Sequence, residues 1–237
     1  LAERPDLRVA SVAPDFMLRF ARDEDHERLR TLLGDYPALV SWRDERGETL
    51  ISSTTPYALD CSDPERERIY TRPVAAEILL DAGATVGAST WEQLISAGAS
   101  GMLHLLARKQ VLPPTLPVLA ALGDEEAIRR RLGESAERNE AEADERIVVG
   151  RALMNACRFR HTAIALRLLE RSIVLDPDLG GRIDRWQSRQ AFVEFLIAHP
   201  GSHWSGGPTE GPERTPWEAF VIRQLTSALD SSDLPAF

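Results

Sequence analysis

Apolar residues recur every three or four positions along most of the chain. Clear cases are the stretches HERLRTLL (26–33), PVAAEILLDAG (73–83), TAIALRLLERS (162–172) and RQAFVEFLIAH (189–199). This spacing places the apolar side chains on one face of a helix, whereas the alternation that is typical of strands is scarce. The best strand candidate, ERIVVGRAL (145–153), has a spacing that suits a helix equally well. The pattern therefore predicts an all-α fold.

Short polar breaks divide the helical stretches in a repeated order. The breaks are RDED (22–25), LGDEE (122–126), RFRH (158–161) and WQS (186–188). The segment before a break is apolar or rich in small residues, and the segment after it is amphipathic and rich in leucine. A helix, a tight break, a second helix and a turn, several times over, indicate a repeat architecture. In such an architecture, neighbouring repeats bury each other's apolar faces.

Several of these segments resemble the ankyrin repeat. RDERGETLI (43–51) resembles the family's opening turn, EILLDAGATV (77–86) the end of its outer helix, and RTPWEAF (214–220) the start of its inner helix. GDEEAIRRRL (123–132) and RFRHTAIALRLL (158–169) resemble the break followed by the outer helix. In the latter, His161 occupies the position of the histidine in the family's Gly-His pair, with Arg160 in place of the glycine. The resemblance implies an ankyrin-like α-solenoid of about six to seven irregular helix-turn-helix repeats.

We expect a single array over residues 1–237. Its approximate repeats are 8–43, 44–89, 90–113, 114–146, 147–176 and 177–213, followed by a partial repeat at 214–237. One insertion follows Tyr57, and another surrounds Asn139. The acidic run Glu134–Glu145 in the second insertion is interpreted as a solvated, mobile segment. Thr49 is expected to cap the inner helix of the second repeat.

The charge balance bears on the class of partner. The formal net charge is −9, which disfavours general binding to a nucleic-acid backbone. RNA binding through arginine stays open as a weaker alternative, because Lys109 is the one lysine among 28 basic residues. No apolar run approaches the ~20 residues that span a bilayer, so no membrane partner is expected. The two cysteines, Cys61 and Cys157, fit a reducing compartment, and a cytoplasmic location is expected.

The candidate catalytic and metal-binding residues are better interpreted as core or turn residues. Cys157 and His161 are four positions apart, but in a repeat a bend separates them, and Cys157 falls in a small-residue core position. His199 and His203 flank a Pro-Gly turn with no Cys or Asp beside them. GASGM (98–102) lacks the Lys-Ser/Thr ending of a phosphate-binding loop, so its glycines are expected to permit turns. We therefore expect no catalytic residue, no metal site and no cofactor.

Ankyrin-like arrays bind partners through a concave face of turn tips and inner-helix ends, and the resemblance carries these positions over one by one. They are Arg22 and Asp23 in the first repeat, Glu45, Arg46, Glu48 and Tyr57 in the second, Leu122 in the fourth, and Arg158 and Phe159 in the fifth. Exposed aromatic and arginine side chains are the types that anchor protein interfaces. The resemblance thus implies an unidentified protein partner at these residues.

Two functions of different classes follow from the sequence. In the first, the chain is a rigid protein-interaction scaffold with no catalytic role. In the second, the long insertions fold over the concave face and form a pocket for a ligand or a reaction, because long loops in compact folds are often functional. An open, featureless groove would argue against the second function.

Overall fold

The computed structural model describes residues 18–45, 47–55, 60–138, 142–183, 186 and 188–198. Within these ranges the regular structure is helical, apart from one isolated β-bridge between Arg43 and Thr49. This confirms the predicted all-α class. The chain divides into two compact units, residues 1–113 and residues 114–237. The division coincides with the boundary expected between the third and fourth repeats.

The first unit is built around a buried central helix. After a helical segment at residues 18–22, its α-helices are α1 His26–Asp35, α2 Pro64–Tyr70, α3 Pro73–Asp81, α4 Ala88–Ala97 and α5 Ser100–Arg108, and 3-10 helices cover Pro37–Ser41 and Leu50–Thr54. Helix α3 packs against Leu50–Thr54, α1 and α5, while α4 packs against α5. The side chains of Ala75, Ala76 and Leu79 are fully buried, which gives α3 its central place. Burying a leucine contributes about 1.5–3 kcal/mol.

The second unit has its own core. Its helices are α6 Leu116–Leu122, α7 Glu125–Arg138, α8 Glu142–Arg158, α9 Thr162–Leu175, α10 Pro177–Ile183 and α11 Arg189–Ala198. Helix α8 packs against α6 on one side and α9 on the other, and α11 contacts both α8 and α9. Leu153, Leu168 and Phe192 lie at the centre of this core. The apolar positions that predicted helices are therefore the positions that hold the helices together.

One turn recurs between consecutive helices. A residue with positive φ stands in six such turns of the described chain, namely Glu24 (60°), Gly83 (96°), Gly98 (75°), Gln110 (56°), Gly123 (78°) and Arg160 (60°). The next residue donates its N–H to a carbonyl five positions earlier, in the pairs Asp25–Phe20, Ala84–Leu79, Ala99–Leu94, Val111–Leu106, Asp124–Leu119 and His161–Ala156, at 2.8–3.2 Å. This hydrogen bond is the six-to-one bond that closes helices in the Schellman motif. Among the described residues the same turn thus occurs six times, four times in the first unit and twice in the second.

We number the helix pairs along the chain. The first is 18–22 with α1, the second Leu50–Thr54 with α3, the third α4 with α5, the fourth α6 with α7 and the fifth α8 with α9, and α10 and α11 follow them in sequence. The second pair keeps the closing hydrogen bond, because Arg72 N donates to Thr54 O at 2.8 Å. In the fourth pair the corresponding hydrogen bond joins Asp124 N to Leu119 O, and only residues 120–123 lie between its two ends. In the second pair residues 55–71 lie between them. The insertion after Tyr57 therefore leaves and re-enters the pair at one point.

The acidic run Glu134–Glu145 differs from its prediction. Helix α7 extends to Arg138 and α8 begins at Glu142, so most of the run is helical. Glu145 is only 8% exposed, and its Oε1 accepts hydrogen bonds from Arg171 Nη2 and Nε at 2.6 and 2.9 Å. At Glu145 the prediction of a solvated segment is wrong, because pairing with a distant arginine allows a carboxylate to be buried.

The predicted cap at Thr49 is also wrong. Thr49 directly precedes Leu50–Thr54, but its hydroxyl makes no cap hydrogen bond and is buried without a partner. The helix is of the 3-10 type, and the N–H of Ser52 donates instead to the backbone carbonyl of Thr49 at 3.0 Å. In this part of the chain a carboxylate takes the capping role, as when Asp25 Oδ1 accepts from Arg28 N at 3.3 Å at the start of α1.

Among the residues that the structure describes, every helix is too short or too polar to cross a membrane. The ankyrin-like solenoid and its repeat boundaries stay predictions.

Candidate interaction surfaces

The predicted contact residues fall on two structural features. Arg22, Asp23, Leu122, Arg158 and Phe159 occupy the one or two positions before a positive-φ residue of the recurring turn. Glu45 and Glu48 lie in the hairpin that precedes Leu50–Thr54. Arg46 and Tyr57 lie outside the described residues. The geometry of the two features decides which of these side chains can act together.

The hairpin between Arg43 and Thr49 is held by the side chain of Asp44. Asp44 N donates to Glu48 O at 3.0 Å, and Glu48 N donates to Asp44 Oδ1 at 2.8 Å. Gly47 supplies the positive φ of 79° that the turn requires. Glu45 is exposed at the tip and Glu48 is half-buried. The hairpin therefore presents acidic side chains on a backbone that is already ordered.

The hairpin and the first turn lie at opposite ends of Leu50–Thr54. Arg72 follows the far end of this helix and donates from Nε to the carbonyl of Arg22 at 3.0 Å. Five residues of 3-10 helix, with a rise of about 2 Å each, span roughly 10 Å. In the first unit, the predicted residues thus form two patches, one at the hairpin and one at the turn.

The first turn presents a charged surface. The side chains of Arg22 and Asp23 are 59% and 51% exposed and lie 3.7 Å apart. Arg19 Nε also donates to Asp23 Oδ2 at 3.3 Å, and Arg72 pairs with Glu24 at 3.1 Å. Exposed pairs of this kind contribute little to stability, with a typical value of about 0–1 kcal/mol. Arg22 and Asp23 can therefore exchange their present partners for groups of a bound protein at small cost.

In the second unit, His161 brings two turns together. Its ring lies over Gly123, where a Cβ would come within 2.8 Å of the imidazole Cε1, and its Nε2 is 3.2 Å from Ala121 O. Phe159 stacks against the same ring, with centroids 6.4 Å apart and planes inclined by 14°. The structure therefore places Phe159 beside the turn that contains Leu122.

We call Leu122, Arg158, Phe159 and Arg160 the turn patch. The first three are half-buried, and Arg160 is exposed. A half-buried aromatic ring that already rests on an imidazole loses little side-chain freedom when a partner covers it. The turn patch thus combines apolar surface and arginine on a preordered support.

Both cysteines are buried free thiols. Cys157 is 1% exposed, and burial raises the pKa of its thiol to about 12. Burial, with smaller contributions from the charges of Glu67 and Asp60, raises the pKa of Cys61 to about 11. The structure confirms that Cys157 is a core residue. Because the thiolate is the nucleophile, both groups are held in the unreactive form at neutral pH.

The described part of the first insertion lies against the third pair. Cys61 N donates to Ala97 O at 2.6 Å, and the Glu67 carboxylate accepts from Met102 N at 2.8 Å. Two open grooves of the first unit are lined by residues outside this insertion. The first groove is lined by residues of α1 and α3 with Ala82, and the second by residues of α1 with Phe20 and Asp25. The described residues also contain no group of three His, Cys, Asp or Glu side chains placed to hold a metal ion.

Sequence reasoning missed Glu67 and Arg72, which both connect distant parts of the first unit. A local signal was present for the helix that carries Glu67, because Asp63 and Pro64 are the residue types preferred at the N-cap and first helical position. No local signal marks their partners, since Gly101 and Arg22 contribute only backbone groups.

Comparison with known proteins adds no relative to these observations. No family model, curated protein or solved structure matches the chain.

Proposed function

We propose that this chain is a protein-interaction scaffold, built as an ankyrin-like array of helix pairs, that binds a protein partner through its turns and hairpin tips. The observation that carries the proposal is the recurrence of one turn, with a positive φ and a six-to-one hydrogen bond, inside four helix pairs, at Glu24, Gly98, Gly123 and Arg160. The same turn also follows α3 and α5, at Gly83 and Gln110. Within each unit, repeated turns offer equivalent positions to a partner, which suits a protein better than a small molecule.

The contact residues divide by role. Phe159 and Leu122 supply apolar anchors and Arg158 a guanidinium beside them, which are features of the centre of protein interfaces. Arg22, Asp23, Glu45 and Glu48, together with Arg46 and Tyr57, supply mainly charges that steer association and select the partner. The proposal requires no cofactor. The net charge of −9 favours a protein over a nucleic acid, and the buried free thiols suit the cytoplasm.

A capture experiment with matched variants tests this proposal. The baits are the wild-type chain, a Leu122→Ser/Phe159→Ser variant, and a control, Val148→Ser/Val174→Ser, which removes exposed valines of the same unit. The extract comes from the organism that encodes the chain. We expect the turn variant to lose a captured protein by about tenfold or more, the size of an interface hot spot. Circular dichroism confirms that all baits are folded.

Two results would contradict the proposal. One is capture that the turn variant and the control weaken equally, because binding would then be non-specific. The other is repeated failure of the folded wild-type bait to retain a protein.

A further inference from the structure

The insertion of the second pair forms a strap, which we define as residues 60–71. It lies in the chain between Thr54 and Arg72, which are joined by a backbone hydrogen bond of 2.8 Å. Instead of turning out into solvent, it lies on the turn of the third pair. Its three contacts there are each made to backbone groups.

Two of these contacts are at the turn itself. Cys61 N donates to the carbonyl of Ala97, the residue before the positive-φ Gly98, at 2.6 Å. A Cβ added at Gly98 would lie 3.5 Å from the backbone of Ser62, so the strap passes close to the turn, and a side chain at position 98 would meet it. Ala97 holds the place that Leu122 holds before Gly123 and Phe159 holds before Arg160. The strap thus covers the third-pair counterpart of the turn patch.

The third contact is an anionic cap on α5. Glu67 Oε2 accepts from Gly101 N at 3.0 Å, and Oε1 accepts from Met102 N at 2.8 Å. First-turn amides have no partner within their own helix, and the N-cap residue Ala99 has no side chain that could serve. Hydrogen bonds to a charged acceptor are stronger than neutral ones, and the helix dipole favours the carboxylate further. Glu67 is therefore the main polar hold of the strap.

Elsewhere the strap is lightly attached. Its helix α2 has no buried residue, and Ile69 is 64% exposed. Asp60 bonds within the strap, to Ser62 and Arg66. Apart from the side chain of Cys61 near its start and Thr71 at its end, little of it is buried. Segments with few buried contacts open at lower free energy than the core that they cover.

We propose that the strap is a latch, held by Glu67, that opens and closes over the Ala97–Gly98 turn while the helices beneath stay folded. When the latch is closed, the third pair contributes no contact surface at its turn. When it is open, this turn and the free amides of Gly101 and Met102 become available to a protein partner. The role in regulating binding rests on the proposed function, but the opening itself does not depend on any partner.

The protein contains reporters for this motion. The Gly101 and Met102 amides are hydrogen-bonded to Glu67, and the thiol of Cys61, a residue of the strap, is buried. The Leu103 amide is the matched control, because it donates to Ala99 O within α5 and needs no strap. Cys157 reports opening of the second unit. Hydrogen exchange by NMR and iodoacetamide labelling, read by peptide mass, follow all five groups in the full chain.

We expect the two Glu67-bonded amides and the Cys61 thiol to open with one common equilibrium constant, at least about tenfold larger than that of Leu103. Glu67→Ala should increase the opening of these three groups by about tenfold or more and leave Cys157 unchanged. Glu65→Ala, on the exposed side of the same helix, should change none of them. The latch is refuted if, in the wild-type chain, the three groups open only together with Leu103. It is also refuted if Glu67→Ala leaves the labelling of Cys61 unchanged. Since no partner enters this experiment, its outcome is independent of the capture result.

Discussion

At the scale of single residues, Arg160 stands where the ankyrin-like pattern has glycine, and the structure shows the consequence. Its φ of 60° lies in the left-handed region, where a side chain costs an L-residue roughly 1–2 kcal/mol. The residue is exposed, so no packing in the described residues requires its side chain. An arginine at this strained position is explained if its guanidinium contributes to binding at the turn patch.

Replacing this residue should separate stability from binding. We expect Arg160→Gly to raise the free energy of unfolding by about 0.5–1 kcal/mol, because relief of the backbone strain exceeds the added entropy of the unfolded chain. Arg130→Gly, at an exposed position inside α7, is the control and should lower it by about 1 kcal/mol. Urea unfolding measures both. Equal destabilisation by the two changes would show that Arg160 is not strained.

The buried thiol of Cys157 should make stability depend on alkaline pH. Its pKa is about 12 in the folded chain, against 9.0 for an ordinary thiol. Between these values the unfolded thiol ionises while the folded thiol keeps its proton, so the unfolded state binds fewer protons and stability falls as pH rises. The fall approaches about 1.4 kcal/mol per pH unit for one group.

The variant Cys157→Ala isolates this contribution. Below pH 8 it should be less stable than the wild type by about 1 kcal/mol, because burial is lost. Above pH 9 the difference should shrink and then reverse, since the variant has no thiol to ionise. Denaturant unfolding of both proteins at a series of pH values from 7 to 10.5 gives the difference between their free energies of unfolding. The contributions of all other titrating groups cancel in this difference. A difference that stays constant with pH would contradict the assigned burial.

At the scale of elements, Arg72 joins three segments of the first unit. Its side chain donates to the carbonyls of Arg22, Ile69 and Thr71 and pairs with Glu24, and it is only 20% exposed. It thus fixes the first turn, the end of the strap and the start of α3 relative to one another. A lysine has the charge but not the planar fork of donors that these acceptors require.

We expect Arg72→Ala to lower the free energy of unfolding by about 1–2 kcal/mol, because three carbonyls lose their donor, of which that of Thr71 is part-buried. Arg72→Lys should recover less than half of this loss. Arg68→Ala, which removes only an exposed pair with Glu65, should stay within about 0.5 kcal/mol of the wild type. Thermal or urea unfolding distinguishes these values. A full recovery by lysine would show that charge alone is sufficient.

These elements also show where prediction from sequence succeeds. The helices follow from apolar spacing, and the turn at RFRH was placed correctly because Ala156, Cys157 and Ile164 mark the ends of two apolar faces. The strap was predicted only as an insertion. Its docking depends on Glu67 reaching backbone amides 34 and 35 positions away, and backbone acceptors or donors carry no sequence pattern. The burial of Glu145 was missed for a similar reason, because its partner Arg171 is distant in the chain.

At the scale of the whole molecule, the division into two units separates two cores. Leu79 is fully buried in the first unit and Leu153 in the second. The predicted contact residues are likewise divided, with the charged group in the first unit and the turn patch in the second. In repeat proteins, stability is a sum of local and nearest-neighbour contributions, so a core defect acts mainly where it lies.

Matched core substitutions test whether the units respond separately. Leu153→Ala and Leu79→Ala each remove the same group from a fully buried site, at an expected cost of about 2–5 kcal/mol. Hydrogen exchange followed by peptide mass reports on α3 and α5 in the first unit and on α8 and α9 in the second. We expect Leu153→Ala to accelerate exchange mainly in α8 and α9, and Leu79→Ala mainly in α3 and α5. If either substitution loosens both sets of helices equally, the chain unfolds as one cooperative body, and the latch and the turn patch would have to be treated as coupled.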